Sequence, residues 1–240
     1  MVDLGGKVAV VTGGSKGIGR AIARALCEAG ADVALCSRDQ SEVERAAEEL
    51  GSGGGGRALG IAADVRKLED VRRLVKATVE EFGGLDILIA NAGVGGGFGP
   101  VHEIDPEDWH RVIDTNLTGV YYCCREAVAE LEKRGGGWII TIGSLAGRYA
   151  FAGGTAYNAS KFGLIGFTEA LMLDLRDQGI RVSCVMPGSV DTYFNDTEPS
   201  GESWKLAPDD VARAVTQLLA HADRALPSRV ELRPSQPKRK

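Results

Sequence analysis

The sequence has little that would suit a membrane, a signal peptide or a disulfide framework. Among its 240 residues there are five cysteines and three histidines, and no apolar run approaches the roughly 20 residues that a membrane-spanning helix needs. The amino-terminal stretch MVDLGGKVAVV has no basic region ahead of its apolar residues, as a secretory signal would require. We therefore expect a cytoplasmic protein that does not use a membrane as its partner.

The few cysteines show none of the paired spacings that bind a metal ion. Each of them falls inside a segment that the surrounding sequence predicts to be a helix or a strand: Cys27, Cys36, Cys123, Cys124 and Cys184. We expect them to be reduced, buried and apolar in behaviour, with no metal site.

Concentrated positive charge is also scarce. The formal net charge is −5, and the only basic cluster is the carboxyl-terminal 238–240. Binding to nucleic acid needs a basic face that this composition does not supply. We expect no nucleic-acid partner and interpret the basic cluster as a solvated chain end.

What the sequence does have is a regular alternation of short apolar runs and longer amphipathic segments. Continuous apolar runs indicate strands buried on both faces, as in a parallel sheet covered by helices. The predicted strands are 7–12, 32–36, 57–62, 85–90, 138–142 and 181–186, with a further strand at 229–232. The predicted helices are 18–29, 41–50, 68–82, 106–133, 155–178 and 208–221. This alternation predicts an α/β fold, a doubly wound parallel sheet of about seven strands with helices on both faces.

No shift in composition marks a domain boundary, so we expect a single Rossmann domain over 1–240. The glycine-rich stretch 51–56 is interpreted as a surface turn. The irregular, polar segment 189–207 is expected to lie beside the substrate and to leave the site open. The tail 233–240 is expected to be flexible.

The stretch TGGSKGIG follows the first strand and leads into the first helix. Its Gly13, Gly17 and Gly19 permit a tight turn whose main chain can approach a pyrophosphate, at a helix end that favours anions. We therefore expect a dinucleotide here. The turn residues expected to bind it are Gly13, Ser15, Lys16, Gly17, Ile18 and Gly19.

The end of the second strand indicates which dinucleotide. An acidic residue there would bind the ribose 2′-hydroxyl of NAD, whereas a nearby arginine accommodates the 2′-phosphate of NADP. This chain has Ser37 followed by Arg38, with Lys16 in the glycine turn as a second cation. The pattern favours NADP(H), although Asp39 could serve as a displaced ribose ligand.

Three polar residues form a candidate reaction centre. Tyr157 and Lys161 are one helical turn apart on a predicted helix with Thr155 as its N-cap, and Ser144 follows the fifth strand. Bringing a tyrosine pKa from about 10 toward 7 requires about 4 kcal/mol. An ammonium about 4 Å away at an effective dielectric near 20 would supply about that much. A serine hydroxyl at the carboxyl edge of the sheet could donate to a substrate oxygen.

These motifs, in this order along the chain, resemble those of the short-chain dehydrogenase/reductase family, and in particular its 3-oxoacyl-ACP reductase-like members. The resemblance spans nearly the whole chain and implies the strand order 3-2-1-4-5-6-7 for the sheet. The further motifs that carry it are Asp64-Val65, the NAG triplet at 91–93, Asn116 and Pro187-Gly188. One departure is Ala90, which stands where the family often has a second asparagine.

The resemblance implies a role for each matching residue. Tyr157 would be the general acid or base, Lys161 would lower its pKa and bind the nicotinamide ribose, Ser144 would hold the substrate oxygen, and Asn116 would position a water in a proton relay. The remaining residues implied to contact the cofactor are Asp64, Val65, Asn91, Ala92, Gly93, Pro187, Gly188, Val190 and Thr192.

The predicted function is NADP(H)-dependent transfer of hydride between nicotinamide and a carbonyl or secondary alcohol. By resemblance, the substrate would be a 3-oxoacyl thioester or another small ketone, and the protein a homo-oligomer, dimer or tetramer, assembled through its long helices. Two alternatives remain open: an NAD(H)-dependent alcohol dehydrogenase of the same family, and a nucleotide-sensing protein without turnover.

Overall fold

Seven parallel strands form one sheet in the computed structural model, which describes residues 2–194 and 197–236. The strands are β1 (Val8–Thr12), β2 (Asp32–Ser37), β3 (Ala58–Ala62), β4 (Ile87–Ala90), β5 (Gly137–Ile142), β6 (Ile180–Pro187) and β7 (Arg229–Leu232). Their order is β3-β2-β1-β4-β5-β6-β7, and every pairing is parallel. The predicted fold class and strand order are confirmed.

Helices cover both faces of this sheet. They are α1 (Gly17–Glu28), α2 (Gln40–Gly51), α3 (Leu68–Phe82), α4 (Pro106–Ile113), α5 (Gly119–Lys133), α6 (Thr155–Leu175) and α7 (Pro208–Leu219). One core layer lies between the sheet and α1, α2 and α7, and a second lies between the sheet and α3, α5 and α6. The continuous apolar runs are explained by this arrangement, since all five residues of β1 are buried.

The predicted helix 106–133 is not one regular helix. It is divided into α4 and α5 by a π-helical turn, Asp114–Thr118. Within the turn, Thr115 donates to the carbonyl of Arg111 at 2.7 Å, and Asn116 bonds to the backbone of a loop far away in sequence. The predicted segment 106–133 is helical throughout, but the π-helical turn within it was not predicted, because the bonds of Asn116 to a distant loop, which periodicity does not show, stabilise the extra residue in the turn.

The predicted boundaries of α6 also need correction. Gly154 occupies the N-cap position, and the predicted cap Thr155 is the first helical residue. At the other end the α-helix stops at Leu175 and continues as a 3₁₀ turn, Arg176–Gln178. The chain then leaves through Gly179, whose φ of +73° is a left-handed conformation that glycine adopts readily.

The cysteines are free and buried, as predicted. Burial raises the pKa of the Cys36 and Cys124 thiols to about 12, so neither is a reactive thiolate at neutral pH. Across residues 2–194 and 197–236, no group of three or more His, Cys, Asp and Glu side chains is arranged to hold a metal ion. Within the same ranges, no helix combines the length and the apolar character that crossing a bilayer requires. Residues 237–240 of the predicted flexible tail, including its basic cluster, lie outside the described residues.

A buried carboxylate joins the amino-terminal ends of the central strands. Asp86, just before β4, accepts from the backbone N–H of Val8 at 3.0 Å, from Lys7 Nζ at 3.1 Å and from an Arg134 nitrogen at 3.0 Å. Burial would raise the pKa of Asp86, but the hydrogen bonds from Arg134, Val8 and Lys7 outweigh it and hold the pKa below its ordinary value.

This network makes the stability depend on acid pH. Because the folded-state pKa of Asp86 is lowered, its contribution is present above the unfolded pKa of about 3.9 and is lost as pH falls through the folded value. We expect Asp86→Asn to lower the free energy of unfolding at pH 7 by about 1–2 kcal/mol, with the difference shrinking toward pH 3. Urea unfolding of both proteins at several pH values measures this, and a difference independent of pH would contradict it.

Candidate active site

A cavity of about 1350 Å³ opens at the carboxyl ends of the strands. Drug-sized ligands occupy roughly 300–1,000 Å³, so this volume suits a dinucleotide together with a second reactant. The glycine turn lies on one side, and Ser144, Tyr157 and Lys161 lie on the other. Every residue predicted to bind the cofactor lines this one cavity, whereas Asn116 does not.

The glycine turn brings main chain close to main chain. Gly13 and Gly17 have φ values of +64° and +58°, which residues other than glycine rarely adopt. A Cβ atom at Gly19 would overlap the carbonyl oxygen of Gly13 and the side-chain nitrogen of Asn91. Any larger residue at position 19 must therefore displace the turn.

The residues of this turn fit a bound dinucleotide. A Cβ at Gly17 would overlap Thr192 Oγ1, and this hydroxyl is buried without a hydrogen-bond partner in the described structure. Helix α1 begins at Gly17, and the first N–H groups of a helix have no partner within it. A polar ligand at this end of the cavity, with an anionic group at the helix terminus, would satisfy both.

At the end of β2, Asp39 caps the next helix. Its carboxylate accepts from the backbone N–H of Glu42 at 2.9 Å and from Ser41 Oγ at 2.8 Å. Both bonds hold its pKa below the ordinary value, the backbone bond from Glu42 more strongly. The alternative role of Asp39 as a displaced ribose ligand therefore competes with helix capping, while Ser37 and Arg38 line the cavity.

Glu42 is a cavity residue that the sequence interpretation missed. Ser15 Oγ donates to its carboxylate at 2.7 Å, and Lys16 Nζ lies 3.8 Å from Oε1. The cation expected to face a 2′-phosphate is thus shared with a carboxylate. No spacing in the sequence signals this, since a glutamate in the first turn of a helix usually only complements the helix dipole.

The predicted adenine contact at Asp64 is already engaged. Arg66 donates to the Asp64 carboxylate from its backbone at 3.0 Å and from its guanidinium at 2.6 to 3.0 Å. These bonds lower the pKa of Asp64, and the bonds from the Arg66 side chain have the largest effect. Arg66 itself lines the cavity, so the end where adenine is predicted to bind presents an Asp64–Arg66 ion pair rather than a free carboxylate.

The NAG triplet is tied to the glycine turn. Asn91 Nδ2 donates to the carbonyls of Thr12 and Gly13 at 2.8 and 3.1 Å. The hydroxyl of Thr12 accepts from the backbone N–H groups of Asn91 and Ala92, both at 3.0 Å. Ala90 is a fully buried strand residue. The bonds to Thr12 and Gly13 hold the turn in place with alanine at position 90.

The reaction-centre residues converge as predicted, and burial shifts the pKa of two of them. Lys161 Nζ is buried, donates to the carbonyl of Ile142 at 3.0 Å and lies 5.8 Å from the Tyr157 ring centroid. Burial lowers its pKa to about 8. Burial raises the pKa of Tyr157 above its ordinary value, and the opposing effect of a hydrogen bond with Ser144 is smaller. The Lys161 ammonium is directed to the Ile142 carbonyl, and its predicted effect on the pKa of Tyr157 stays a prediction.

Asn116 lies behind the cavity wall. It is fully buried. Its Oδ1 accepts from the N–H of Val94 at 2.8 Å, while Nδ2 donates to the carbonyl of Val94 at 2.9 Å and to Ser160 Oγ at 3.1 Å. A Cβ at Gly93 would lie 3.3 Å from Asn116 Oδ1 and 3.8 Å from Lys161 Nζ. The structure thus makes Asn116 a residue that positions the 91–94 loop next to Lys161; its role toward a water stays a prediction.

Asn158 is a second positioning residue that the sequence interpretation missed. Its Nδ2 donates to the carbonyl of Ala146 at 2.7 Å, and its Oδ1 accepts from the N–H of Phe151 at 3.3 Å. It therefore fastens the loop after Ser144 to α6, next to Tyr157. The sequence did contain a signal for this role, since Asn158 is a polar residue in a largely apolar helix and directly follows the candidate tyrosine.

A family model described as short chain dehydrogenase matches residues 7–203. The chain belongs to the short-chain dehydrogenase family. The predicted resemblance is confirmed, and with it the coarse activity, that of an oxidoreductase.

Relatives and solved structures extend this match. "Dehydrogenase/reductase SDR family member 4" of Oryctolagus cuniculus is 41% identical over 192 residues, 80% of this short-chain dehydrogenase and 74% of the relative. The structure of an alcohol dehydrogenase from the archaeon Thermococcus sibiricus, complexed with 5-hydroxy-NADP, is 32% identical with a TM-score of 0.91 and covers 98% of this chain and 99% of its own. The structure of a 3-ketoacyl-(acyl-carrier-protein) reductase from Brucella melitensis, complexed with NADH, is 31% identical with a TM-score of 0.88. The match covers 97% of this chain and 99% of that chain.

Proposed function

We propose that this short-chain dehydrogenase is an NADP(H)-dependent oxidoreductase that interconverts a carbonyl and a secondary alcohol. One observation carries the proposal: a single cavity holds the glycine turn at the start of α1 and, on its other side, Ser144, Tyr157 and Lys161. A dinucleotide bound at the turn and a substrate oxygen at the tyrosine would share that cavity.

The proton of the reaction is donated and taken back by a side chain of the protein itself. Since burial raises the pKa of Tyr157, its hydroxyl is protonated at neutral pH and can donate to a substrate oxygen during reduction. In alcohol oxidation the phenolate would take that proton back. Ser144 would donate a hydrogen bond to the same oxygen as negative charge develops on it. When bound, the nicotinamide supplies or accepts the hydride.

The preference for NADP(H) over NAD(H) is supported by two cations near the end of β2. Lys16 and Arg38 line the cavity beside Ser37, and a carboxylate at position 37 would have repelled a 2′-phosphate. The NAD(H) alternative is supported by Glu42, which shares Lys16. Fluorescence titration with NADPH and NADH decides between them, and tighter binding of NADH by tenfold would overturn the proposal.

We expect Glu42→Gln to strengthen the preference for the phosphorylated cofactor. Removing the carboxylate releases Lys16 from a partly exposed ion pair worth up to about 1 kcal/mol. The Kd for NADPH should therefore fall about threefold to fivefold, while the Kd for NADH changes less than twofold. The matched control is Glu44→Gln on the same helix, which lies outside the cavity lining. Equal changes for both dinucleotides would contradict the prediction.

The substrate proposed from the resemblance is a small-molecule carbonyl, such as a 3-oxoacyl thioester or another small ketone. The segment 189–207 borders its end of the cavity and is closed by a bridge between Val190 and Leu206. Asp191 accepts from the backbone N–H groups of Ser200 and Gly201 at 2.8 and 2.7 Å, which ties these two residues to the start of the segment.

We also propose that the protein assembles as a homo-oligomer through its long helices. Phe162 and Leu173 on α6 are exposed by 46% and 56%, and large apolar side chains on one helix suit a contact between copies. Light scattering coupled to size exclusion measures the mass, and a monomer at micromolar concentration would contradict the proposal.

A further inference from the structure

Aromatic side chains from three separate loops meet around Tyr157. Phe98 follows β4, Phe151 follows β5 and Phe194 follows β6. The Tyr157 ring lies 6.2 Å from Phe98 and 5.6 Å from Phe194, centroid to centroid, and Phe98 lies 6.1 Å from Phe151. These are the spacings at which aromatic rings attract one another in tilted and edge-to-face arrangements. The three phenylalanines thus form an aromatic wall that is continuous with the candidate general acid.

The aromatic wall is partly exposed to solvent. Phe98, Phe151 and Phe194 are exposed by 48%, 47% and 37%, and all three line the cavity. Exposed apolar area costs about 25 cal/mol per Å², and contiguous apolar surface of this kind marks binding sites. The segment 189–207, expected from its composition to be polar, contributes Phe194 to the wall. A ligand that covers the wall must therefore be apolar.

The cations at this end of the cavity already have partners. Arg233 and Arg148 share the single carboxylate of Glu231. Lys205 lies 3.6 Å from Asp191 and 2.7 Å from Glu202, and Lys161 donates to the carbonyl of Ile142. A carboxylate, sulfonate or phosphate beside the substrate carbonyl would lose hydration there and would have to compete with these partners for a cation.

We propose that the site selects neutral ketones that carry an aromatic ring beside the carbonyl, and the corresponding secondary alcohols. This inference rests on the proposed function. The substrate ring would pack against Phe98, Phe151 and Phe194, which directs its carbonyl oxygen to Tyr157 and Ser144. In reduction, the carbonyl carbon would gain a hydride from the reduced nicotinamide, which becomes oxidised, and the oxygen would gain the Tyr157 proton, leaving a phenolate that solvent water reprotonates.

Two matched ketone pairs test the inference on the wild-type protein with NADPH. The first pair is propiophenone and cyclohexyl ethyl ketone, which have the same carbon skeleton. Conjugation makes the aryl ketone less electrophilic, so a preference for it reports the site and not intrinsic reactivity. We expect kcat/KM to favour propiophenone at least tenfold. The second pair is methyl 4-acetylbenzoate and 4-acetylbenzoate, and we expect the neutral ester to be favoured at least tenfold.

Substitutions assign the preference to the wall. Phe98→Leu and Phe194→Leu should each raise KM for propiophenone about fivefold and leave KM for cyclohexyl ethyl ketone within twofold. The control is Phe82→Leu, an aromatic residue on α3 outside the cavity lining, which should change neither value. Because leucine keeps most of the apolar area, an effect confined to the aryl ketone indicates ring packing.

Three outcomes would overturn the inference while leaving the proposed function in place. These are equal kcat/KM for the first ketone pair, equal or better turnover of 4-acetylbenzoate, and a preference for acetoacetyl thioester over propiophenone. An equal rise in KM for both ketones in the leucine variants would also overturn it. Absence of turnover with every carbonyl and alcohol tested would instead overturn both proposals.

Discussion

Replacing Tyr157 with phenylalanine is expected to lower kcat by about 10²–10⁴-fold, the usual contribution of a positioned general acid or base. The change removes one hydroxyl and keeps the ring, which packs 5.6 Å from Phe194 and 6.2 Å from Phe98. Dinucleotide affinity should stay within about threefold, because the cofactor is held by the glycine turn and the end of β2. Initial rates and fluorescence titration measure the two effects separately.

The matched control is Tyr121→Phe, the same deletion at an exposed tyrosine on α5, which should keep full activity. The result also decides between an enzyme and a nucleotide-sensing protein. If Tyr157→Phe turns over substrate as fast as the wild type, Tyr157 is not the acid. If neither protein turns over any carbonyl but both bind dinucleotide, the sensing alternative is favoured.

Replacing Lys161 with methionine is expected to abolish most activity and yet stabilise the protein. Lys161 is only 5% exposed, and burial lowers its pKa from 10.5 to about 8. Since one pKa unit corresponds to 1.36 kcal/mol, keeping the ammonium buried costs about 3 kcal/mol at pH 7. Methionine fills a similar volume without a charge.

The sign follows from the lowered pKa. The folded state favours the neutral amine, so the cost is absent above the unfolded pKa and grows as pH falls, reaching its full size below the folded value of about 8. Lys161→Met should therefore be more stable than the wild type by about 3 kcal/mol at pH 7 and by less than about 1 kcal/mol at pH 10. Urea unfolding at the two pH values measures this.

A methionine variant that is less stable than the wild type at pH 7 would show that the bond to Ile142 outweighs the cost of burial. A difference that does not shrink at pH 10 would show that the ammonium is not its source. If the expected pattern is found, the chain retains a destabilising lysine at its candidate active site, which is how residues kept for chemistry and not for stability behave.

Much of the fold and the membership of the site were predictable because they depend on local patterns. Continuous apolar runs indicate strands buried on both faces, and the strand order was predicted from the family resemblance. The carboxyl ends of neighbouring parallel strands meet at one edge, so the residues after β1, β2, β4, β5 and β6 had to converge there. The four-residue spacing of Tyr157 and Lys161 places both on one helical face.

Hydrogen-bond partners and charge balance were not predictable in the same way. Lys161 was expected to act on Tyr157, and its ammonium donates to the Ile142 carbonyl. Lys16 was expected to be a second cation for a 2′-phosphate, and it also lies beside the Glu42 carboxylate. Both outcomes depend on where a long, flexible side chain ends, which the spacing of residues along the chain does not specify.

By itself, the sequence determined the α/β class and the glycine turn, because both depend on short-range periodicity and spacing, and its family motifs predicted the strand order and the candidate reaction-centre residues. Only the tertiary structure decided that a π-helical turn carries Asn116 behind the cavity wall, that Glu42 moderates Lys16, and that Phe98, Phe151 and Phe194 meet at Tyr157. Those features join loops from different strands, and their contacts exist only once the sheet has aligned the strand ends.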